Sequence, residues 1–303
     1  MVDPMEVLNA NDFTSIGNLP LPTSSLKTSL FSLPTISSLP TVSSIPTDIP
    51  NTILYEKVGT LGSRTLWVVF VIMVLSSISF AFLSLRVPVQ KRLFHVLTTF
   101  ITLFAAVSYF AMASGDGYTY IADSTSHATY RQVFWARYAD WVVTTPLLLL
   151  DLAFLAGLDG ASIVISLVAD ILMILLGLFA AFSHNETQKW GYYTFSCIAY
   201  LVIVYQLAVS GRRAVSNKQN STANLFAAIG GFTLILWTLY PIVWGIGDGA
   251  RQWSVDSEIV AYAILDVLAK PVFGFWLLVA HGRNAESIEG FWTHGLSSEG
   301  ALR

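Results

Sequence analysis

The sequence predicts an all-α membrane protein, folded as a bundle of seven transmembrane helices, from three observations. Only 12% of the 303 residues are charged, whereas 54% are hydrophobic. An average soluble domain carries about a quarter charged residues, so lipid is expected to cover much of this surface. Apolar runs of membrane length recur from about residue 64 onward, and several of them contain ionisable residues.

The runs are long enough to cross a bilayer, whose hydrocarbon core needs roughly 20 apolar residues in a helix. Polar or glycine-containing breaks separate them. Because helices satisfy their own backbone hydrogen bonds in lipid, the runs predict a helical bundle. The seven predicted spans are 65–85, 93–113, 132–155, 161–183, 190–210, 223–246 and 258–281.

The chain divides into three parts by composition. Residues 1–60 begin with a stretch rich in Ser, Thr and Pro, which predicts a disordered extracellular tail. Residues 61–285 hold the predicted helices, and residues 286–303 form a predicted cytoplasmic tail. The net charge of -3, without a basic tract, argues against nucleic acid as a partner, and the single Cys197 excludes an internal disulfide.

Basic residues near the helix ends predict the orientation, because they concentrate on the cytoplasmic side. The larger group is Arg86, Lys91, Arg92, Arg212, Arg213, Lys218 and Arg283. The smaller group, on the other side, is Lys57, Arg64, Arg131, Lys189 and Arg251. The amino terminus is therefore expected outside the cell and the carboxyl terminus inside.

Six ionisable residues lie within the apolar runs, where each costs several kcal/mol unless it is paired or hydrated. They are Arg137, Asp140 and Asp151 on the third helix, Asp170 on the fourth, and Asp266 and Lys270 on the seventh. One interpretation is a set of structural ion pairs that lock the helices together. Six such residues in one interior favour a functional role instead.

The spacing of these residues predicts their chemistry. Asp266 and Lys270 are four residues apart and share a helix face. Asp151 follows Asp140 by eleven residues, roughly 16 Å along the same inner stripe, a layout typical of a proton path. A desolvated lysine becomes a nucleophile that forms Schiff bases with aldehydes, and Asp140 and Asp266 can supply its counter-charge.

Aromatic residues are concentrated on the same helices. Trp237, Tyr240 and Trp244 form one stripe on the sixth helix, with Trp141 on the third and Trp276 on the seventh. Such a stripe commonly belongs to core packing or to an interfacial belt. Beside a Schiff-base lysine, it favours a flat slot for a conjugated ligand.

Four sequence stretches resemble the microbial (type I) rhodopsins and are very similar to their bacteriorhodopsin-like members. They are "ARYADWVVTTPLLLLDL" at 136–152, "ADILMI" at 169–174, "LWTLYPIVW" at 236–244 and "LDVLAKPVFGF" at 265–275. The resemblance covers about residues 60–285 in the right order. The tail before it is similar to those of fungal members.

The resemblance implies all-trans retinal, bound covalently to Lys270 in the bundle interior, and no metal. It implies that Asp140 is the counter-ion and proton acceptor and Asp266 the second counter-ion. Around the retinal it places Trp141, Thr144, Thr145, Pro146, Leu148, Met173, Trp237, Tyr240, Pro241, Trp244 and Tyr109, with Asp170 near the ring. An apolar residue at Leu148 goes with green absorption in this family.

The resemblance also implies a proton path through the bundle. Asp151 matches the cytoplasmic proton donor, and Thr98 matches the hydroxyl that hydrogen-bonds to it. Arg137 matches the arginine that swings toward the exit, and Glu258 matches one of two proton-release acids. The sequence reads "GIGDGARQW" where the family pattern has a second glutamate, so Asp248 replaces it only approximately.

The expected function is a light-driven outward proton pump, and not an enzyme. Protons are the expected cargo because the family's chloride pumps lack a carboxylate at the Asp140 position. The alternative is a slow-cycling sensory photoreceptor with little net transport. The hypothesis of a receptor coupled to G proteins does not explain Asp140, Asp151 or a lysine one turn after an aspartate. The expected partners are the lipid bilayer and protons, with homo-oligomers left open. The expected location is the plasma membrane.

Overall fold

The computed structural model describes residues 53–123, 128–216, 218 and 220–283. Seven helices in these ranges are long and apolar enough to span a membrane, which confirms the predicted bundle. They are α1 Thr60–Leu85, α2 Leu93–Ala113, α3 Trp135–Ala156, α4 Gly160–Phe182, α5 Glu186–Val215, α6 Asn220–Gly249 and α7 Val255–Ala280. The last turn of α7 continues to Arg283.

Polar caps explain why two of these helices begin before their apolar runs. The Asn185 side chain accepts a hydrogen bond from the Thr187 N–H at 2.8 Å, so α5 begins at Glu186 rather than at residue 190. Ser254 caps α7 in the same way, accepting from the Ser257 N–H at 3.2 Å. Side-chain oxygens at these positions satisfy backbone donors that a helix terminus leaves free.

Consecutive helices pack side by side, and α7 returns to contact α1, which closes the bundle. Helix α3 contacts α2, α4 and α6, so its polar face lies inside the bundle. The outer surface is apolar: Ile78, Leu201 and Ile235 are each more than 60% exposed. A bundle with exposed apolar side chains outside and buried charges inside is suited to a lipid environment.

A small sheet covers one end of the bundle, which we call the sheet end, and the opposite end is called the far end. Strand β1 (Leu54–Glu56) pairs in parallel with β3 (Thr129–Val133), and β3 pairs antiparallel with β2 (Thr119–Ala122). The sheet departs from two expectations. Strand β1 lies within residues 1–60, which were expected to be a disordered tail, and β3 extends into the predicted third span, 132–155, so that helix begins at Trp135.

The sheet was not predicted because its strands are short and β1 finds its partner far along the chain. Glu56 lies opposite Arg131 in the register of β1 and β3. The remainder of the predicted tail, residues 1–52, and the predicted tail at 286–303 lie outside the described residues.

Helix α7 departs from regular α geometry where Lys270 lies. Residues Leu268–Val272 form a π segment that contains Lys270 and Pro271. Proline has no N–H to donate and crowds the preceding turn, and a π segment accommodates both effects. The widened turn lies in the bundle interior, where Lys270 is only 2% exposed.

A glycine permits close packing between α7 and α1. A Cβ at Gly274 would lie 2.7 Å from Cζ of Phe80, a fully buried ring that also packs against Phe275. We expect Gly274→Ala to destabilise the protein by about 1–3 kcal/mol, the usual cost of overpacking. The measurement is the thermal unfolding midpoint in detergent.

Gly231→Ala is the matched control, because nothing lies within 4 Å of a Cβ at Gly231 in α6. This variant should unfold at the parent's temperature or slightly above it, since alanine is the better helix former. Equal midpoints for the two variants would show that the contact between Gly274 and Phe80 does not constrain the packing.

Candidate functional site

The centre of the bundle holds a buried ion triad of Lys270, Asp140 and Asp266. Lys270 Nζ lies 2.9 Å from Asp140 Oδ2 and 2.7 Å from Asp266 Oδ1. All three residues are 3% exposed or less. The structure therefore brings together the lysine and both carboxylates that the sequence singled out, from helices α3 and α7.

The two carboxylates of the triad differ in their hydrogen bonds. Asp266 accepts from the Tyr109 hydroxyl at 2.6 Å and from the Tyr240 hydroxyl at 2.8 Å, in addition to Lys270. Across the described ranges, Asp140 Oδ1 has no hydrogen-bond partner. Hydrogen bonds to a carboxylate favour its charged form, so Asp266 is the better stabilised anion of the two.

A cavity with aromatic walls begins at Lys270 and extends between α3, α4, α5 and α6. The Trp141 ring lies 5.4 Å from that of Tyr240, and the Trp244 ring stacks on Tyr193 at 4.9 Å. Nine of the residues predicted for the site line this cavity: Trp141, Thr145, Leu148, Met173, Trp237, Tyr240, Pro241, Trp244 and Lys270. The predicted slot is thus present as a continuous space.

Other residues assigned to the slot lie beside the cavity rather than on its wall. Tyr109 binds Asp266, and the Thr144 hydroxyl donates to the Asp140 carbonyl at 3.0 Å. Asp170 accepts from the Thr145 hydroxyl at 2.7 Å, so it contacts the cavity only through Thr145. Trp276 is not part of the slot, because it lies 37% exposed on the outer surface.

Helix α5 contributes cavity residues that the sequence analysis did not identify. Tyr193, Cys197 and Tyr200 line the cavity at helical spacing. Cys197 is half-buried on this wall. The spacing was visible in the sequence, but no charged residue lies between Tyr193 and Tyr200 to show which face of α5 points inward.

A second charged cluster lies at the sheet end and centres on Arg131, which is 1% exposed. Arg131 binds Glu258 Oε2 at 2.7 Å, Glu56 Oε2 at 3.1 Å and Asp248 Oδ1 at 3.3 Å. Burial lowers the pKa of the Arg131 guanidinium, but Glu258 and Asp248 outweigh that effect and the net pKa is raised. Arg131 thus stays charged and joins strands β1 and β3 to helices α6 and α7.

The sequence analysis assigned Arg131 only to the helix-end charges that set the orientation. The available signal was its position six residues before Arg137, beside a run of aromatic and apolar residues. That signal is weak without knowledge of the sheet. Sequence reasoning also missed Glu56, which it placed in the disordered tail.

Arg137 belongs to the cluster at the sheet end and lies against Tyr262, a residue that lines the cavity. Its Nη1 donates to Glu258 Oε1 at 2.6 Å, and its guanidinium carbon lies 4.1 Å from the centre of the Tyr262 ring. Glu258 is 4% exposed and binds both arginines. Glu258 and Asp248 therefore lie in one cluster around Arg131.

Asp151 lies toward the far end and is fully buried, and neither of its carboxylate oxygens has a hydrogen-bond partner among the described residues. The expected hydrogen bond from Thr98 is absent. The Thr98 hydroxyl instead donates to the Phe94 carbonyl at 2.8 Å and the His95 carbonyl at 3.1 Å. A helical threonine readily bonds the carbonyl one turn earlier, and that local bond replaces the predicted contact.

Comparisons with known proteins show which family the chain belongs to. Residues 60–283 match the family of bacteriorhodopsin-like proteins. The chain belongs to this family. It is 50% identical to Opsin-1 of Neurospora crassa over 272 residues, covering 85% of this chain and 90% of that protein.

Solved structures of the bacteriorhodopsin-like family share the fold. A light-driven proton pump from Leptosphaeria maculans is 55% identical, with a TM-score of 0.72 over 76% of this chain and 99% of its own. The light-driven proton pump of Coccomyxa subellipsoidea is 36% identical, with a TM-score of 0.73 over 75% of this chain and 100% of that chain. Members of the family are light-driven transporters or photoreceptors rather than enzymes, and they carry retinal on a lysine.

The cluster around Arg131 generates a stability prediction. Arg131→Gln removes the cation from three carboxylates, two of them buried, and should cost about 3–5 kcal/mol, as for other broken buried ion pairs. The thermal midpoint should fall sharply at neutral pH. The difference should narrow in acid, because a protonated carboxyl needs no cation.

Arg64→Gln is the control, since Arg64 is an exposed arginine on α1 near the same end. It should change the midpoint little at any pH. If Arg131→Gln behaves like Arg64→Gln, the cluster contributes nothing to the stability of the sheet end.

Proposed function

We propose that the protein is a light-driven outward proton pump with all-trans retinal bound to Lys270. The observation that supports this most is the series of buried ionisable groups along the bundle. Asp151 lies toward the far end, the triad around Lys270 lies in the middle, and Glu258 lies at the sheet end. Relatives of the same fold include proteins described as light-driven proton pumps.

The cavity fits an elongated conjugated aldehyde. Its walls are flat indole and phenol rings, and Lys270 Nζ lies where a covalent link to the aldehyde carbon can form. Retinal, when bound there, absorbs visible light and changes shape about one double bond. Leu148, on the cavity wall and 1% exposed, is the residue that supports green absorption.

Asp140 is the proposed acceptor of the proton held at Lys270 Nζ. It contacts Nζ directly, and its Oδ1 has no other partner. Asp266 accepts from two tyrosine hydroxyls and so remains the fixed negative charge. Transfer from Nζ to Asp140 neutralises a separated charge pair in a low-dielectric interior, which favours the transfer once the local geometry changes.

The exit leads through Arg137 to the cluster at the sheet end. Arg137 binds Glu258, and Arg131 links Glu258 and Asp248 to Glu56. The Glu56 side chain is 36% exposed, so the cluster reaches solvent there. A proton passed to these carboxylates can leave at the sheet end.

Asp151 is the proposed donor that restores the proton at Lys270 Nζ. Its carboxyl is fully buried and has no cation beside it, a setting that favours the protonated form. The donor must hold its proton before the cycle begins. Access to Asp151 from the far end then completes transport in one direction.

The charge distribution supports a cytoplasmic far end and an extracellular sheet end. Among the far-end cations, Arg86, Lys91, Arg212, Arg213 and Lys218 are exposed. At the sheet end, Arg131 and Lys189 are buried and bound to carboxylates, which leaves Lys57 and Arg64 as exposed examples. Exposed cations therefore favour the far end as the inside, with the plasma membrane as the expected location.

Lys270→Ala should abolish the visible chromophore. Purified parent protein given all-trans retinal should develop a green-absorbing band, whereas the variant should stay colourless. An absorption spectrum recorded after retinal addition measures this. A visible band in the variant would contradict attachment at Lys270.

Asp151→Asn tests the pump against the sensory alternative. The variant keeps the triad and its colour but loses the donor, so the return of the proton to Lys270 should slow and become proportional to proton concentration. Azide, a small proton carrier, should restore the rate. Flash spectroscopy and acidification of the medium under continuous light are the two measurements.

The outcomes separate the two functions. A parent with fast recovery that Asp151→Asn slows, together with reduced acidification, supports pumping. A parent with slow, pH-proportional recovery that the substitution leaves unchanged would mean that Asp151 is not a working donor. The sensory photoreceptor would then be the better account.

A further inference from the structure

Helix α7 presents four polar residues at regular spacing on one face. Glu258, Tyr262, Asp266 and Lys270 are each four residues apart, so they lie one above another. Each step covers about 6 Å along the helix axis. Tyr262 is the uncharged member, and it lies between the triad and the cluster at the sheet end.

Tyr262 packs against cavity residues on one side and against an arginine of the sheet-end cluster on the other. It lines the cavity with Lys270, and its ring lies 5.2 Å from Trp141 and 5.8 Å from Tyr240. On its other side, the Arg137 guanidinium carbon lies 4.1 Å from the ring centre. The residue is 1% exposed, so it separates the two regions without access to bulk solvent.

The hydroxyl of Tyr262 is buried and has no hydrogen-bond partner within the part of the chain that the structure describes. The neighbouring tyrosines differ: Tyr109 and Tyr240 donate to Asp266, and the Tyr138 hydroxyl accepts from Trp244 Nε1. A phenylalanine would supply the same ring contacts without the free-energy cost of burying an unbonded hydroxyl. The hydroxyl therefore calls for a function that the ring alone does not provide.

We propose that the Tyr262 hydroxyl relays the proton from Asp140 to Glu258, an inference that rests on the proposed pump. The phenol oxygen accepts the proton leaving the Asp140 carboxyl while its own O–H proton passes to the Glu258 carboxylate. One O–H bond breaks as another forms at the phenol, which stays neutral. Arg137 lies against the ring and binds Glu258, so its charge stabilises the carboxylate until the proton arrives.

Tyr262→Phe tests the hydroxyl, because it keeps the ring contacts with Trp141 and Arg137. After flash excitation, a pH-sensitive dye outside the membrane measures the release of the proton. The infrared band of the protonated Asp140 carboxyl measures the arrival of the proton at Asp140. Release should slow by about tenfold or more, since a positioned relay contributes at least that much to a proton transfer. The rise of the Asp140 band should be unchanged, and its decay should slow in parallel with release.

Tyr205→Phe is the matched control, because Tyr205 is a 54% exposed tyrosine on the outer face of α5. It should leave both signals as in the parent. Tyr262→Leu removes the ring as well as the hydroxyl. Slow release in Tyr262→Leu with normal release in Tyr262→Phe would assign the effect to the ring and overturn the relay.

An infrared signature provides a readout independent of transport. In parent protein with isotope-labelled tyrosine, the light-minus-dark spectrum should contain a phenol band that is lost in Tyr262→Phe and kept in Tyr205→Phe. Absence of such a band from the parent would overturn the relay. A coloured parent that releases no proton would refute the proposed pump and the relay with it, whereas normal release from Tyr262→Phe would refute the relay alone.

Discussion

The ammonium of Lys270 lies in a low-dielectric interior, and the carboxylates of Asp140 and Asp266 balance its charge. Removing an ion from water costs several kcal/mol even after the protein relaxes, so one unpaired charge would be strongly unfavourable here. Two carboxylates face one ammonium at 2.9 and 2.7 Å, which leaves an excess negative charge. The hydroxyls of Tyr109 and Tyr240 stabilise that excess on Asp266.

The same constraint explains the arrangement of the other charged groups. At the sheet end, Arg131 and Arg137 meet three carboxylates, and the one that reaches solvent is Glu56 on strand β1. Asp151, by contrast, has neither a cation nor a hydrogen-bond donor. Paired carboxylates keep their charge and an isolated one keeps its proton, so pairing with a cation separates the buried groups that accept protons from the one that supplies a proton.

Much of this architecture could be predicted because membrane burial makes polar residues informative. The helices followed from apolar length, and the triad followed from charges that lipid would otherwise exclude. The sheet and the role of Arg131 could not be predicted, because the pairing of β1 with β3 joins short segments that are distant in the chain. The inner face of α5 was also missed, since Tyr193 and Tyr200 on an apolar helix carry no charge that marks the interior.

Thr98 shows a further limit of sequence reasoning. A matching residue type predicted a hydrogen bond to Asp151, but the hydroxyl bonds to carbonyls of its own helix. A residue's identity does not determine which of two nearby acceptors its side chain selects. Tyr262 is the converse case, since its importance is visible only once its unbonded hydroxyl and its contact with Arg137 are known.

The central claim is that light drives a proton from Lys270 through Asp140 toward the sheet end. The most direct measurement is the external pH of a cell suspension under green light, with and without a protonophore, for the parent and for Asp140→Asn. We expect the parent to acidify the medium, the protonophore to abolish the change, and the coloured Asp140→Asn variant to give none. A coloured parent that leaves the pH unchanged, or a pH change that persists with the protonophore, would contradict outward proton pumping.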